Sequence, residues 1–396
     1  MISPIFALIV TLVIQILASV AIMTAPILAP EAAPSLLVQA TKVGVFVSIA
    51  YVAAMISSLF SGYLIDLYGA LRTSQLSLLA CAAGMFVAAW GTIPSLVLAA
   101  ILLGAGYGPI TPASSHILIR TTPENRLGLF FSLKQTGVPI GGALAGLLLP
   151  LLVLYWQWRH AAIIVGVLCL LGALACQWVR SGLDSANTTR PSLNLHSIIG
   201  PFFAVMRLPN VRRIAFCTIF YSVAQLCLTT YIVTYLTTEL AFSLTTAGIL
   251  VFFIQGSGVA GRILWGMVAD RWLTPMMTLS ALGFTTATCS LLMAAISPHW
   301  GLWLITLITM IFGASAIGWN GVYLAEIARL SPKGQAGLIT GGTLFFTYFG
   351  VVVGPPAFAW IVESSQSFSM AYAVLGVLIA IVATLLTYFQ TKSAAP

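Results

Sequence analysis

Two cations stand inside long apolar stretches of this 396-residue sequence: Lys134, in Phe131-Ser132-Leu133-Lys134-Gln135, and Arg262, in Ala260-Gly261-Arg262-Ile263-Leu264. A charge at membrane depth is costly unless it is paired or faces water, so each marks a candidate binding position. Arginine offers a planar fork of donors and lysine a compact point charge, a combination suited to a carboxylate. All eight acidic residues (Glu31, Asp66, Glu124, Asp184, Glu239, Asp270, Glu326, Glu363) fall in loops or at the ends of apolar stretches. An anionic ligand is therefore the expected complement to the two cations. The alternative is structural: Lys134 extends to the interface, and Arg262 bonds the carbonyl end of a neighbouring helix or Glu326.

Neutral polar residues at similar depth extend this candidate site. Gln135 adjoins Lys134, Asn320 lies in Trp319-Asn320-Gly321, Tyr51 and Gln255 sit 204 residues apart, and Tyr348 precedes a run of glycine and valine. Most binding cavities are apolar with a few such fixtures. Side chains of this kind also serve as hydrogen bonds between helices, worth about 0.6 kcal/mol each.

The elements that must position these residues follow from composition. The chain is 60% hydrophobic and 6% charged, with mean hydropathy +1.06, whereas a soluble domain carries about 25% charged residues. Continuous apolar runs, rather than a β-barrel's alternation, occur at roughly 5–28, 43–65, 74–92, 95–119, 127–154, 160–179, 213–237, 244–266, 274–297, 301–327, 335–361 and 368–390. Each is long enough to cross about 30 Å of hydrocarbon as a helix. The expected fold is an all-α membrane protein of twelve transmembrane helices. A polar stretch divides them into residues 1–180, a cytoplasmic linker 181–211 with an amphipathic segment near His196 to Arg207, and residues 212–396.

The net charge of +8 is mainly a topology signal. Twelve of the sixteen basic residues, including Arg72, Arg120, Arg180, Arg271, Arg329 and Lys333, lie on the side of both termini, against Lys42 and Arg159 on the other. The positive-inside rule makes that side cytoplasmic and predicts a multi-pass inner-membrane protein. Nucleic acid is not an expected partner. The first apolar run lacks a basic leader and is expected to remain as a span. The six cysteines sit in apolar runs without metal-binding spacing, and neither a nucleophile with its base nor a phosphate loop occurs. No enzyme activity, metal or cofactor is expected.

Internal repetition supports the six-plus-six division. Gly44, Gly62 and Asp66 recur as Gly248, Gly266 and Asp270, 204 residues on; Gly128, Gly137 and Gly141 recur as Gly341, Gly350 and Gly354, 213 on; Gly104 matches Gly313, 209 on. Small residues permit close helix approach where lipid gives no driving force for packing, and Pro109, Pro112, Pro139, Pro355 and Pro356 allow bending.

Between the second and third runs the sequence reads Gly62-Tyr63-Leu64-Ile65-Asp66-Leu67-Tyr68-Gly69, followed by Arg72, and its echo is Gly266-Met267-Val268-Ala269-Asp270-Arg271. This resembles the G-x-L-x-D-x-x-G loop of the major facilitator superfamily, across essentially the whole chain. The resemblance implies two pseudo-symmetric six-helix halves and alternating access, with Asp66, Arg72, Asp270, Arg271 and Glu326 as a cytoplasmic conformational latch. Leu67 stands where the first copy usually has a basic residue, which leaves Arg72 as partner. Arg262 is similar in place to a substrate-associated arginine of oxalate exchangers and monocarboxylate transporters, although span eleven has no second cation and Gly258 replaces an acid one turn earlier.

The reading is a secondary transporter for a small organic anion, a carboxylate above all, with Lys134 and Arg262 as clamps. Exchange against a counter-anion, uniport and proton co-entry through His116 or Lys134 remain open. A monomer surrounded by lipid is expected. The alternative is efflux of neutral or anionic amphipathic compounds, which Gly137-Val138-Pro139-Ile140-Gly141-Gly142 suggests. A sensor built on the same fold would be expected to carry a signalling domain larger than the central loop.

Overall fold

The computed structural model describes residues 3–123, 126–184, 195–297, 299–332 and 335–394. Glu124, Arg190 and Lys333 lie outside the described residues, as does 185–194 of the linker. Twelve helices are long and apolar enough to span a membrane: Pro4–Leu36, Ala40–Leu59, Ala70–Ala88, Ile93–Thr121, Leu129–Tyr155, Trp158–Arg180, Pro209–Thr238, Leu244–Arg271, Pro275–Ala295, Leu302–Leu330, Ile339–Ser365 and Phe368–Gln390, here spans one to twelve. No strand occurs among the described residues. Large apolar side chains such as Leu154, Leu171 and Leu174 are more than half exposed, as hydrocarbon solvent allows. The protein is a multi-pass membrane protein.

The chain divides into two compact units, Met1–Asn194 and Leu195–Pro396. Within the first, span one packs on five, two on four, and three on six; within the second, seven packs on eleven, eight on ten, and nine on twelve. The same pairing therefore recurs, and its contacts explain the glycine repeat. A Cβ added to Gly104 would fall 1.9 Å from the Ala50 carbonyl oxygen, and one added to Gly313 2.4 Å from that of Ile254. Ile254 lies 204 residues after Ala50 and Gly313 lies 209 after Gly104, so one backbone crossing is built twice. Ser57 reinforces the first crossing by donating to the Gly104 carbonyl at 3.3 Å, and Ser257 the second by donating to that of Met310 at 2.7 Å.

Several helix ends differ from the hydropathy reading for local reasons. Span one continues to Leu36 through Pro26, Pro30 and Pro34, because a buried helix tolerates carbonyls without their usual partners when neighbouring helices surround them. Span two stops at Leu59 rather than 65, and Ser61–Tyr68 forms a separate short helix. Hydroxyls of Ser57, Ser58 and Ser61 bond the carbonyls of Ala54, Met55 and Ser58, competing with the helix ladder at that point. The amphipathic helix Leu195–Arg207 belongs to the second unit. It lies on span eleven, where Phe202 packs against Phe345 and Phe346.

Candidate functional site

Span five is interrupted beside Lys134. Leu127–Gln135 ends at Thr136, whose amide and hydroxyl both bond the Leu133 carbonyl, and Gly137–Tyr155 follows. Pro139 has no N–H to offer the Gln135 carbonyl, so one rung of the helix ladder across the junction is missing. Lys134 thus occupies the last turn before the break, and it is only 1% exposed. Its ammonium donates to Thr111 Oγ1 of span four at 3.2 Å and to Gln135 Oε1 at 3.5 Å. The Thr111 hydroxyl donates onward to Gln15 Oε1 of span one at 3.3 Å. Gln15 is fully buried, and its Nε2 has no partner among the described residues. Close approach of span one to span five makes this possible: a Cβ on Gly137 would press on Gln15, and one on Gly141 would overlap Ser19 and the Ile16 carbonyl.

In the second unit span ten, the counterpart of span four, is interrupted between Leu302–Ala316 and Trp319–Leu330. The carbonyls loosened by the break accept side chains instead. Arg262 Nε donates to Ile317 O at 3.2 Å, Asn320 Nδ2 to the same oxygen at 3.4 Å, and Trp265 Nε1 to Ala314 O at 3.1 Å. Gly258 and Gly261 bring span eight close enough for this, since a Cβ at either would collide with Ile317 or Ala314. Across the unit, Gln225 Oε1 of span seven accepts from both Trp319 Nε1 at 3.0 Å and Asn320 Nδ2 at 3.1 Å. Arg262 and Asn320, separate in the sequence, therefore converge on one carbonyl.

The remaining candidates are more scattered. Tyr51 is 9% exposed and meets Tyr107 edge to face at 6.0 Å. Gln255 is buried in span eight, and Tyr348 is half-buried in span eleven. Among the latch residues, Asp66, Asp270 and Arg271 are exposed. Arg72 directs its guanidinium to Gln75 and Gln177 of span six, so the partner anticipated for Asp66 is engaged elsewhere in this conformation. Glu326 is buried, alone among the described acidic residues, and Arg329 grips both its oxygens at 2.7 Å. That pair neutralises this carboxylate, and the Arg262 Nε bond to the Ile317 carbonyl is the neighbouring-helix contact of the structural alternative.

The loop before span three has its own clasp. Gly69 has φ +94°, and a Cβ there would fall 2.6 Å from the Asp184 carboxyl carbon. The Asp184 carboxylate accepts the amides of Leu71 at 2.7 Å and Arg72 at 3.1 Å, and Arg180 Nε at 3.2 Å. An acid at the end of span six thereby caps the N-terminus of span three, where anions are favoured.

Duplicated helix pairing, two interrupted spans and the twice-used Gly-and-Asp loop coincide with a sequence match. Residues 7–341 match the sequence profile of the Major Facilitator Superfamily. The chain belongs to that superfamily. This major facilitator is accordingly a membrane transporter rather than an enzyme. It is 22% identical over 363 residues to the hexuronate transporter of Bacillus subtilis (strain 168), spanning 88% of this chain and 86% of that protein. Similarity to the probable galactarate/D-glucarate transporter GarP of Escherichia coli (strain K12) is 23% over 392 residues, spanning 89% and 87%. The membrane sensor protein UhpC of Salmonella typhimurium (strain LT2) is 21% identical over 92% of this chain and 87% of its own. A POT family transporter solved with 5-aminolevulinic acid aligns with a TM-score of 0.78 at 12% identity, covering 98% and 96%; this likeness concerns the fold.

Thr111, Gln15 and Gln225 are the polar partners that the ranked sequence candidates omit. A threonine inside a helix ordinarily bonds its own preceding turn, which makes Thr111 unremarkable in one dimension. The signal for Gln225 was present: a carboxamide in a span, facing Trp319-Asn320.

Proposed function

We propose that this major facilitator carries a small organic anion, and that its substrate is a hydroxylated carboxylate of the acid-sugar type. The observation that carries the reading is Lys134: a cation 1% exposed, beside a helix break, whose neighbours Thr111 and Gln135 offer a hydroxyl and an amide. Charge within the spans is also biased. Lys134 and Arg262 lie inside spans five and eight, while Glu326, the one buried acid among the described residues, is neutralised by Arg329, giving a positive local field that favours anions. The acid-sugar names of the Bacillus and Escherichia relatives support the same class and do not favour the efflux alternative.

Lys134 and Arg262 serve as the charged contacts. Gln135, Asn320, Tyr51, Gln255 and Tyr348 line the path, and the carboxamides of Gln15 and Gln225 read hydroxyl groups. Discontinuous helices suit this task because their loosened backbone groups face polar substrate at mid-membrane. Alternating rearrangement of the two units exposes the site to each side, with the helix ends around Asp66 and Asp270 as cytoplasmic latches. Both termini lie in the cytoplasm in this scheme.

The test is a thermal-shift panel of purified protein with glucuronate, galacturonate, glucarate, lactate and neutral glucose. Stabilisation by the sugar acids but not by glucose supports the reading. Equal response to glucose, or response only to neutral amphipathic compounds, would replace it.

A further inference from the structure

The first unit holds a cavity of about 400 Å³ between the far halves of spans one and two, reaching Met85 of span three and Trp158 of span six. Its span-one wall is an alanine ridge. Ala21, Ala25, Ala29 and Ala33 recur at four-residue spacing, which places them on one face. Ridges of small residues normally admit a second helix, but this one borders open space, with Phe46 on the opposite wall. The one hydroxyl along its depth, Thr24, bonds the Val20 carbonyl of its own helix at 2.9 Å. The interior therefore presents hydrocarbon.

Polarity returns only at the mouth, where Gln39 and Lys42 line the cavity and are exposed. The same end carries Trp158, whose indole donates to Ser35 at 3.0 Å, and the Arg159 guanidinium 4.9 Å from that ring. Trp90, Tyr155 and Trp156 are exposed there at 70%, 80% and 52%. Such a belt of amphipathic rings and cations marks the level of lipid headgroups. From Ala21 to Leu36 the cavity follows span one for about 22 Å at 1.5 Å per residue, the depth of one leaflet including its headgroups, roughly half of 40–45 Å.

We propose that this cavity binds one acyl chain of a membrane phospholipid, with the phosphate held at the mouth by Lys42. An apolar bore with Lys42 lining its interfacial end fits an amphipathic anion. Transfer from bulk lipid brings no hydrophobic gain, so selectivity rests on fit along the alanine ridge and on charge at Lys42. The second unit handles its first helix differently. There Tyr231 stacks on Phe358 at 4.9 Å and Tyr235 meets Tyr372 at 5.2 Å, so rings pack against the far half of span seven.

The test uses full-length protein in two ways. First, wild-type protein in nanodiscs is exposed to phosphatidylglycerol bearing a photoreactive acyl chain, and labelled peptides are mapped. Labelling concentrated in residues 21–49 supports the site; labelling spread over the lipid-facing surface overturns it. Secondly, native mass spectrometry and thermal shift compare wild type with Ala25→Leu, Ala29→Leu and Lys42→Gln, with phosphatidylglycerol or diacylglycerol added. Wild type should retain one phospholipid that the leucine variants lose by severalfold. Phosphatidylglycerol should raise Tm more than diacylglycerol, and Lys42→Gln should erase the difference. Equal lipid retention in the leucine variants, or equal stabilisation by diacylglycerol in wild type, contradicts the proposal. Should the leucine variants fail to fold, photolabelling of the wild type decides.

Discussion

Lys134 donates to Thr111 across 3.2 Å, and Thr111 donates to Gln15, so one polar chain ties spans five, four and one of the first unit. The chain holds a charged side chain at a helix break and ends on an amide nitrogen that can donate to a ligand. Its geometry predicts how the site responds to small changes.

Thr111→Val keeps the shape but removes the hydroxyl that receives Lys134. A hydrogen bond to a charged group contributes about 1.5–3 kcal/mol, so the KM for a sugar acid should rise about 10- to 100-fold with little loss of folded protein. Uptake kinetics alongside gel-filtration yield check this; unchanged KM would remove Thr111 from the site.

Arg262→Lys retains charge and loses the planar fork that reaches Ile317 O through Nε. Because the two cations differ in donor geometry, transport should fall about tenfold, close to the effect of Arg262→Gln. Full activity in Arg262→Lys would show that charge alone suffices.

Asp184→Ala strips the cap from span three, leaving the Leu71 and Arg72 amides without their carboxylate. Losing an N-terminal cap costs about 1–2 kcal/mol, so Tm in mild detergent should drop by several degrees. Gly69→Ala should do the same, since φ +94° and the Asp184 carboxylate both oppose a Cβ. A Tm equal to wild type in both variants would place the clasp outside the fold's stabilising contacts.

Glycines should separate into two groups. Gly104 and Gly313 sit on backbone crossings, and alanine at either should abolish folded protein. At Gly62 and Gly266 a Cβ meets nothing within 4 Å. Alanine in a helix is about 1 kcal/mol better than glycine, so these variants should fold as well as wild type or better. Under the proposed latch these helix ends meet other surfaces in another state, so transport should nevertheless fall. Normal transport in both would argue against a latch.

Much of this architecture was legible because the bilayer constrains it so strongly. Twelve apolar runs and the glycine offsets pointed to two similar six-helix units, and the crossings at Gly104 and Gly313 give those offsets a physical cause. Pro139 marks the bend beside Thr136 in the sequence, whereas the break at Ile317 has no such mark, since Arg262 and Trp265 of span eight donate to its loosened carbonyls only after the spans pack. Thr111 was missed for the same reason: its partner lies 23 residues away and meets it only after two spans pack. The apolar run of span one ends near residue 28, whereas its helix continues to Leu36 because Pro30 and Pro34 are tolerated among neighbouring helices.

The central claim is that Lys134 recognises a carboxylate. Counterflow of labelled glucuronate into proteoliposomes, wild type against Lys134→Gln with folded yields matched, tests it most directly. The account predicts accumulation in wild type that unlabelled sugar acids compete away and glucose does not, and at least a tenfold loss in Lys134→Gln. Wild-type accumulation of glucuronate by Lys134→Gln would contradict it.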